Sequence, residues 1–351
     1  MDHDLVRKCW VRNAWGGTMK TWNWRTAPLF AAAVSVLAAG CTAGSGNAAS
    51  SRPEKPDVTV AALPAADLAG LYIAQDDGFF AQQGLHVKIV KIASSAAVIA
   101  DQLKGQVDIT AGSYVAYIAA QAAGAKFRIL AEASALRPHT RVLAITANSP
   151  IRTLADLDGK KIGLNGTNSI GTLLISALLA QHGISPGKVR IVTDAKGFPA
   201  MPAQLQDGAW AAAFLAEPYV TVAGESYGVR ELADLDQGAT LNFPIDGYMA
   251  TQAWAQKHPN TAAAFERAIE EGQALADSDR AAVEAAMGES DSLSHQVTAL
   301  MVLPDFPVGP VDARRIQRTA EAMLEFGLLG QQYAAKVQQG TLVESMIGAG
   351  S

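Results

Sequence analysis

From residue 57 to residue 251, short β-forming apolar runs alternate with stretches of helical period, and this alternation restricts the fold more than any other feature. Strands are expected at 58–61, 86–92, 107–110 and 127–132, with helices at 68–75, 95–103 and 113–122 between them. Strands separated by helices of this length build parallel β-α-β units. The pattern then restarts: 161–164, 189–192 and 211–215 read as strands, 169–181 and 200–206 as helices. Two successive units predict an α/β protein with two lobes. Two more β-rich runs frame the second unit, 141–147 and 246–251. They are expected to form a two-strand hinge, after which the chain returns to the first lobe. Lobe 1 is then 57–140 plus 247–351, and lobe 2 is 141–246. Helices at 262–276 and 314–326 each carry one apolar stripe, Phe265, Ile269 and Gly272 in the first, Ile316, Ala320, Met323 and Leu324 in the second. Gly327 follows as a C-cap. A faint internal echo links Gln102-Leu103-Lys104-Gly105 with Gln204-Leu205-Gln206-Asp207-Gly208, each expected to end a helix before a short strand.

The first 40 residues stand outside that argument. Lys20 and Arg25 precede an apolar run from Ala27 to Ala39, shorter than the ~20 residues a membrane span needs. The run ends in Leu37-Ala38-Ala39-Gly40-Cys41. A positive region, a short apolar region and a small-residue cut site make a secretory signal peptide over 1–40. The cysteine after Gly40 resembles the lipobox of bacterial lipoproteins. That resemblance implies a lipidated Cys41 as mature N-terminus and a lipid anchor on the outer face of the cytoplasmic membrane. Residues 1–18, with Asp2 and Asp4, suit no signal, so Met19 is the expected start. Residues 41–56 are small and polar and cannot bury enough apolar surface to offset ordering, so a flexible tether is expected there.

Composition narrows the chemistry. The chain has two cysteines. Cys9 would leave with the leader and Cys41 would carry lipid, so no thiol remains for a disulfide, a zinc site or a nucleophile. The net charge is −5 with no basic stripe, which argues against nucleic acid as a partner. The six histidines are scattered, without metal-ligand spacing, and no G-x-S-x-G elbow is present. No metal, cofactor or catalytic residue is expected, and a monomer is.

In open α/β sheets ligands sit beyond the C-terminal ends of the strands, beside helix N-termini. Applied strand by strand, this gives Asp67, Ser94, Ser113 and Tyr114 in lobe 1. In lobe 2 it gives Asn165, Thr167, Asn168, Phe198 and Glu217. Seven of them have a plain alternative. Asp67, Ser113, Thr167 and Asn168 suit helix caps, Glu217 suits a helix start before Pro218, and Tyr114 and Phe198 suit a core. Arg137 and Arg141 flank the hinge and are expected to be solvated. Asp67 and Glu217 near one site would repel an oxyanion unless a cation answered them, and favour a ligand with N–H donors or positive charge.

Four stretches carry a resemblance. They are 70–85 (GLYIAQDDGFFAQQGL), 103–113 (LKGQVDITAGS), 149–163 (SPIRTLADLDGKKIG) and Glu217-Pro218. Together they resemble the solute-binding proteins of ABC importers in the sulfonate/nitrate/taurine and thiamine-pyrimidine-precursor family, over about residues 57–330. The resemblance implies a periplasmic-binding-protein type II clamshell whose lobes close on a small organic solute by hinge motion. It also implies permease and ATPase partners and no catalysis. Asp67-Leu68 stand where pyrimidine-binding members carry an Asn-His pair, which counts against that ligand. Two other readings go with the fold: a sensory or adaptor lipoprotein without transport, and a thiamine-pyrimidine biosynthetic enzyme.

Overall fold

The computed structural model describes residues 52–193 and 196–347. The expected signal peptide, Cys41 and tether residues 42–51 lie outside the described residues. Ten strands form two five-stranded sheets. The first holds β1 (Asp57–Ala62), β2 (His86–Lys91), β3 (Ile109–Ser113), β4 (Phe127–Ala135) and β10 (Pro244–Thr251), in the order β2-β1-β3-β10-β4. The second holds β5 (Arg141–Ile145), β6 (Lys161–Leu164), β7 (Arg190–Thr193), β8 (Ala212–Ala216) and β9 (Arg230–Asp234), in the order β7-β6-β8-β5-β9. Each sheet has three parallel strands, then one strand antiparallel to both of its neighbours. The two sheets therefore repeat one topology.

The internal echo falls on equivalent joints of that repeat. Helices α1 (Ala69–Asp76) and α2 (Phe79–Gln82) connect β1 to β2, α3 (Ser95–Leu103) connects β2 to β3, and α4 (Tyr114–Ala122) connects β3 to β4. In the second sheet α5 (Ile170–Gln181), α6 (Met201–Gln206) and α7 (Tyr219–Tyr227) take the corresponding places. Gly105 after α3 and Gly208 after α6 have φ of 76° and 77°, the left-handed turn that ends a helix before a strand. After β10 come α8 (Gln252–Lys257), α9 (Pro259–Ser278), α10 (Arg280–Asp291), α11 (His295–Leu300) and α12 (Ala313–Glu325). Phe265, Ile269 and Gly272 of α9 are buried, as are Ile316, Ala320 and Met323 of α12. Each large apolar side chain so buried contributes about 1.5–3 kcal/mol. Gly327 has φ +78°, with Leu328 N–H donating to Met323 O at 2.7 Å, and closes α12.

The structure gives the crossings in detail. The runs at 141–147 and 246–251 are not free-standing links. They are β5 and β10, the antiparallel inner strands of the two sheets. The chain passes between sheets in the irregular segments 136–140 and 235–243. These hold one another: Leu136 N–H donates to Phe243 O at 2.8 Å and Leu235 N–H to Arg141 O at 3.1 Å. Strand β9 was not expected from its sequence, RELAD, because charged residues dominate it. It is a partly exposed edge strand, where charge is tolerated. Several elements are shifted: β3 runs on to Ser113, and short 3-10 turns at Ala66–Leu68 and Phe198–Ala200 precede α1 and α6.

The tether also ends earlier than expected. Glu54 accepts from the N–H groups of Asn260 (3.1 Å) and Thr261 (3.0 Å) at the start of α9. Lys55 pairs with the buried Asp108, and Pro56 O accepts from His86 N–H at 2.8 Å. A carboxylate meeting the free N–H groups of a helix start is favourable. Residues 54–56 are therefore docked rather than loose.

Candidate functional site

One cavity draws on both lobes at the strand ends. It is lined by Leu63, Ser94, Ser95, Ala96, Ser113 and Ala116 from the first lobe, and by Asn165, Thr167, Asn168, Ser169, Ile170 and Phe198 from the second. Arg141, at the crossing, completes it. Its volume is about 10 Å³, room for a single water, so the lobes stand closed on each other. Two larger hollows, of about 360 and 860 Å³, lie beside β4 and include no residue between 141 and 246.

The first-lobe wall is built by one close approach. A Cβ on Gly112 would lie 2.3 Å from Ser95 Oγ, so only glycine lets the end of β3 meet the start of α3. Ser95 Oγ then accepts from Ser113 N–H at 2.9 Å, and Ser113 Oγ caps α4 by accepting from Val115 N–H at 3.2 Å. Ser94 precedes α3 in extended conformation with no side-chain cap bond. The second-lobe wall is the loop between β6 and α5. Asn165 donates from Nδ2 to Ala93 O of the opposite lobe at 3.3 Å, while its Oδ1 is buried without a partner. Asn168 takes φ +46°, which asparagine tolerates, and hands the chain to Ser169. Ser169, not Thr167 or Asn168, is the N-cap of α5, and its buried Oγ has no partner. Phe198 is buried, stacked on Tyr219 with centroids 6.3 Å apart.

Arg141 corrects the expectation of a solvated side chain. It is 1 % exposed. Its Nη2 lies 2.9 Å from Asp67 Oδ2 and 3.0 Å from Asp246 Oδ2, and its guanidinium carbon 5.7 Å from the centre of the Phe214 ring. Its Nε and Nη1 are buried without a partner. Buried polar groups are nearly always hydrogen-bonded, so two orphan donors on a buried cation set this part of the cavity wall apart. Among the described residues, Arg141 is also the one charged residue in the cavity lining.

Of the nine expected site residues, Ser94, Ser113, Asn165, Thr167, Asn168 and Phe198 line the cavity, and Asp67, Tyr114 and Glu217 do not. Asp67 sits behind Arg141, with Ser134 Oγ donating to its Oδ1 at 2.9 Å. The Tyr114 hydroxyl is packed against Gly247 of β10, where an added Cβ would lie 2.5 Å away. Burial, with the charges of Glu132 and Asp246, holds its ionisation well above the ordinary range. Glu217 faces away from the cavity, accepting from Thr221 N–H (3.1 Å), Thr221 Oγ (2.9 Å) and Val302 N–H (3.0 Å). Burial pushes its carboxyl up to about 7 against those bonds. The two acids thus do not define a cationic site, because Arg141 answers Asp67 and Glu217 is turned elsewhere. The arginine was missed because charge at a lobe crossing reads as solvated. Its signal was its place at the head of RVLAI, a strand buried at every residue.

Comparison with known proteins bears on the family and the fold. A family model described as NMT1/THI5 like matches residues 65–281. A protein of Escherichia coli (strain K12), whose name assigns it provisionally to aliphatic sulfonate binding, is 30% identical over 233 residues, 63% of this chain and 69% of that one. A 4-amino-5-hydroxymethyl-2-methylpyrimidine phosphate synthase of Saccharomyces cerevisiae is 31% identical over 117 residues, 33% of each chain. In structure, the chain is similar to the alkanesulfonate-binding protein SsuA of Xanthomonas axonopodis pv. citri bound to MOPS. The TM-score is 0.69 at 18% identity, covering 81% of this chain and 98% of that one, a likeness of fold.

Proposed function

This chain belongs to the NMT1/THI5-like family, and from that membership we propose that it is the extracytoplasmic solute receptor of an ABC importer, specific for a small sulfonate-type anion. The observation that carries the ligand class is Arg141, a buried cation with two unpartnered donors in the cavity wall. The hydroxyls of Ser94, Ser113, Thr167 and Ser169 and the Asn165 and Asn168 amides supply further polar contacts. Helices α3 and α5 start at the cavity without a side-chain cap bond, and their free N–H groups favour an anion. Leu63, Ile170 and Phe198 provide an apolar wall for an alkyl or aryl group. Asp67 acts from behind this shell, holding Arg141 in place.

The lobes close around the ligand by a population shift, since only the closed form presents both walls to it. The closed receptor is then offered to the permease and its ATPase, with a lipid on Cys41 holding it at the outer face of the membrane. A sensory or adaptor receptor would use the same cleft. The biosynthetic enzyme is a weaker reading, because similarity to the yeast synthase covers a third of the chain.

The test is a thermal-shift screen of the chain from residue 42 onward. Alkyl and aryl sulfonates, nitrate, pyrimidine and thiamine-like compounds, flavins and small amines are offered in turn. A ligand at 100 times its Kd adds about 2.7 kcal/mol of stability. Sulfonates should raise the melting temperature. A shift from amines or pyrimidines alone would overturn the anion reading.

A further inference from the structure

The charges around the cavity do not balance once an anion enters. Arg141, Asp67 and Asp246 are 1 %, 4 % and 0 % exposed. One buried cation therefore already serves two buried carboxylates, through a single nitrogen, Nη2. An anion on Nε and Nη1 would add a third negative group to a site sealed from water. Burying uncompensated charge is costly, and a titratable group neutralises instead.

The hydrogen bonds show which group would do so. Both oxygens of Asp67 are held, Oδ1 by the Ser134 hydroxyl and Oδ2 by Arg141. Asp246 is held at Oδ2 alone, and its Oδ1 is buried with no partner. That oxygen is free to carry a proton. Among the described residues, the interactions recorded for Asp246 involve one cation, Arg141. Arg141 faces it from β5 and Asp67 from the turn after β1. Tyr114 of α4 and Tyr248 of its own strand are phenols whose ionisation is pushed up, first by burial. Across the sheet its partners are Ser113 and Ser134. Glu132 and Arg315 act on Tyr114 from beyond, and Glu217 lies near Asp67.

We propose that this receptor binds its anion together with one proton, taken from solvent onto Asp246. The anion engages the free donors of Arg141, draws its charge away from Asp246, and the carboxylate becomes a carboxylic acid. One anion and one proton enter, so the net charge of the site is unchanged by binding. The burial of Asp246 already raises its affinity for protons, with Arg141 opposing and Asp67 adding. The proposal rests on the anion reading above.

Calorimetric titration of the mature protein tests it, with methanesulfonate and nitrate as probes in buffers of unequal ionisation enthalpy. Between the pKa of Asp246 in the free receptor and its higher pKa in the complex, uptake should approach one proton per anion, falling away again above that window. Affinity within it should fall about tenfold for each unit of rising pH, and level off below it. Asp246→Asn should take up no proton and bind with pH-independent affinity. Glu217→Gln should keep the uptake. Anion binding without proton uptake in the unaltered protein overturns the proposal, whatever becomes of the variants. So does uptake that survives Asp246→Asn or vanishes in Glu217→Gln. Absence of any binding heat from either anion removes the anion reading itself, and this inference with it.

Discussion

Replacing Arg141 by methionine separates its two roles. The side chain is fully buried and is the cation that Asp67 and Asp246 share, at 2.9 and 3.0 Å. Removing one partner of a buried ion pair costs about 3–5 kcal/mol, because the other is left as uncompensated buried charge. At about 2.1 cal/mol/K of unfolding entropy per residue, a body spanning 52–193 and 196–347 loses roughly 1.6 °C per kcal/mol, so the melting temperature should fall by roughly 5–8 °C. Anion binding should suffer separately. Two charge-assisted hydrogen bonds at about 1.5–3 kcal/mol each correspond to a loss of roughly two to four orders of magnitude in affinity. The decisive comparison is with the triple variant Arg141→Met, Asp67→Asn, Asp246→Asn. It removes the stranded charges while keeping the same apolar replacement. Calorimetric or fluorescence melts should show the triple variant recovering most of the stability lost by the single one, with anion binding still lost. A single variant within about 1 kcal/mol of the unaltered protein would refute the argument, since buried pairs broken on one side do not behave so. So would a triple variant no more stable than the single one.

Two further outcomes follow from the lobe contacts. A Cβ at Gly166 would lie 2.6 Å from Ser94 Cβ across the cleft. Gly166→Ala should therefore wedge the lobes apart, at about 1–3 kcal/mol against closure. Ligand affinity should drop about fivefold or more, with the ligand-free melt nearly unchanged; an unaltered affinity by calorimetry would show that closure does not need this contact. Glu217 gives a pH dependence. Burial raises its carboxyl from 4.5 to about 7, with the Asp67 charge adding, against the bonds from Val302 and Thr221. A raised pKa means stability that is full below the ordinary value and lost as pH rises through about 7. Denaturant midpoints of the ligand-free protein should decline over that window, and Glu217→Gln should make the decline shallower, Asp246 supplying the rest. An equal slope in both proteins would place the titration elsewhere.

The sequence alone determined the α/β class, the two successive units and the strand ends that border the cavity. Those follow from local signals: the period of apolar residues, glycines at turns such as Gly105 and Gly208, and hydroxyl or amide residues at helix starts. Six of nine expected site residues line the cavity for that reason, because a strand end and the next helix start are neighbours in sequence. The tertiary structure decided the rest. Whether Asp67 and Glu217 face a ligand depends on partners far along the chain, Arg141 and Asp246 for one, Thr221 and Val302 for the other. Strand β9 pairs through an edge that its charged sequence does not advertise, and Glu54 is held by a helix that begins at Pro259. The sign of the site was likewise hidden. An arginine at a crossing reads as solvated, and only the closing of two sheets around it makes it a buried cation with donors to spare. Electrostatics in a protein interior depends on which charges are brought within a few ångströms and how much water is excluded, and neither is written in local sequence.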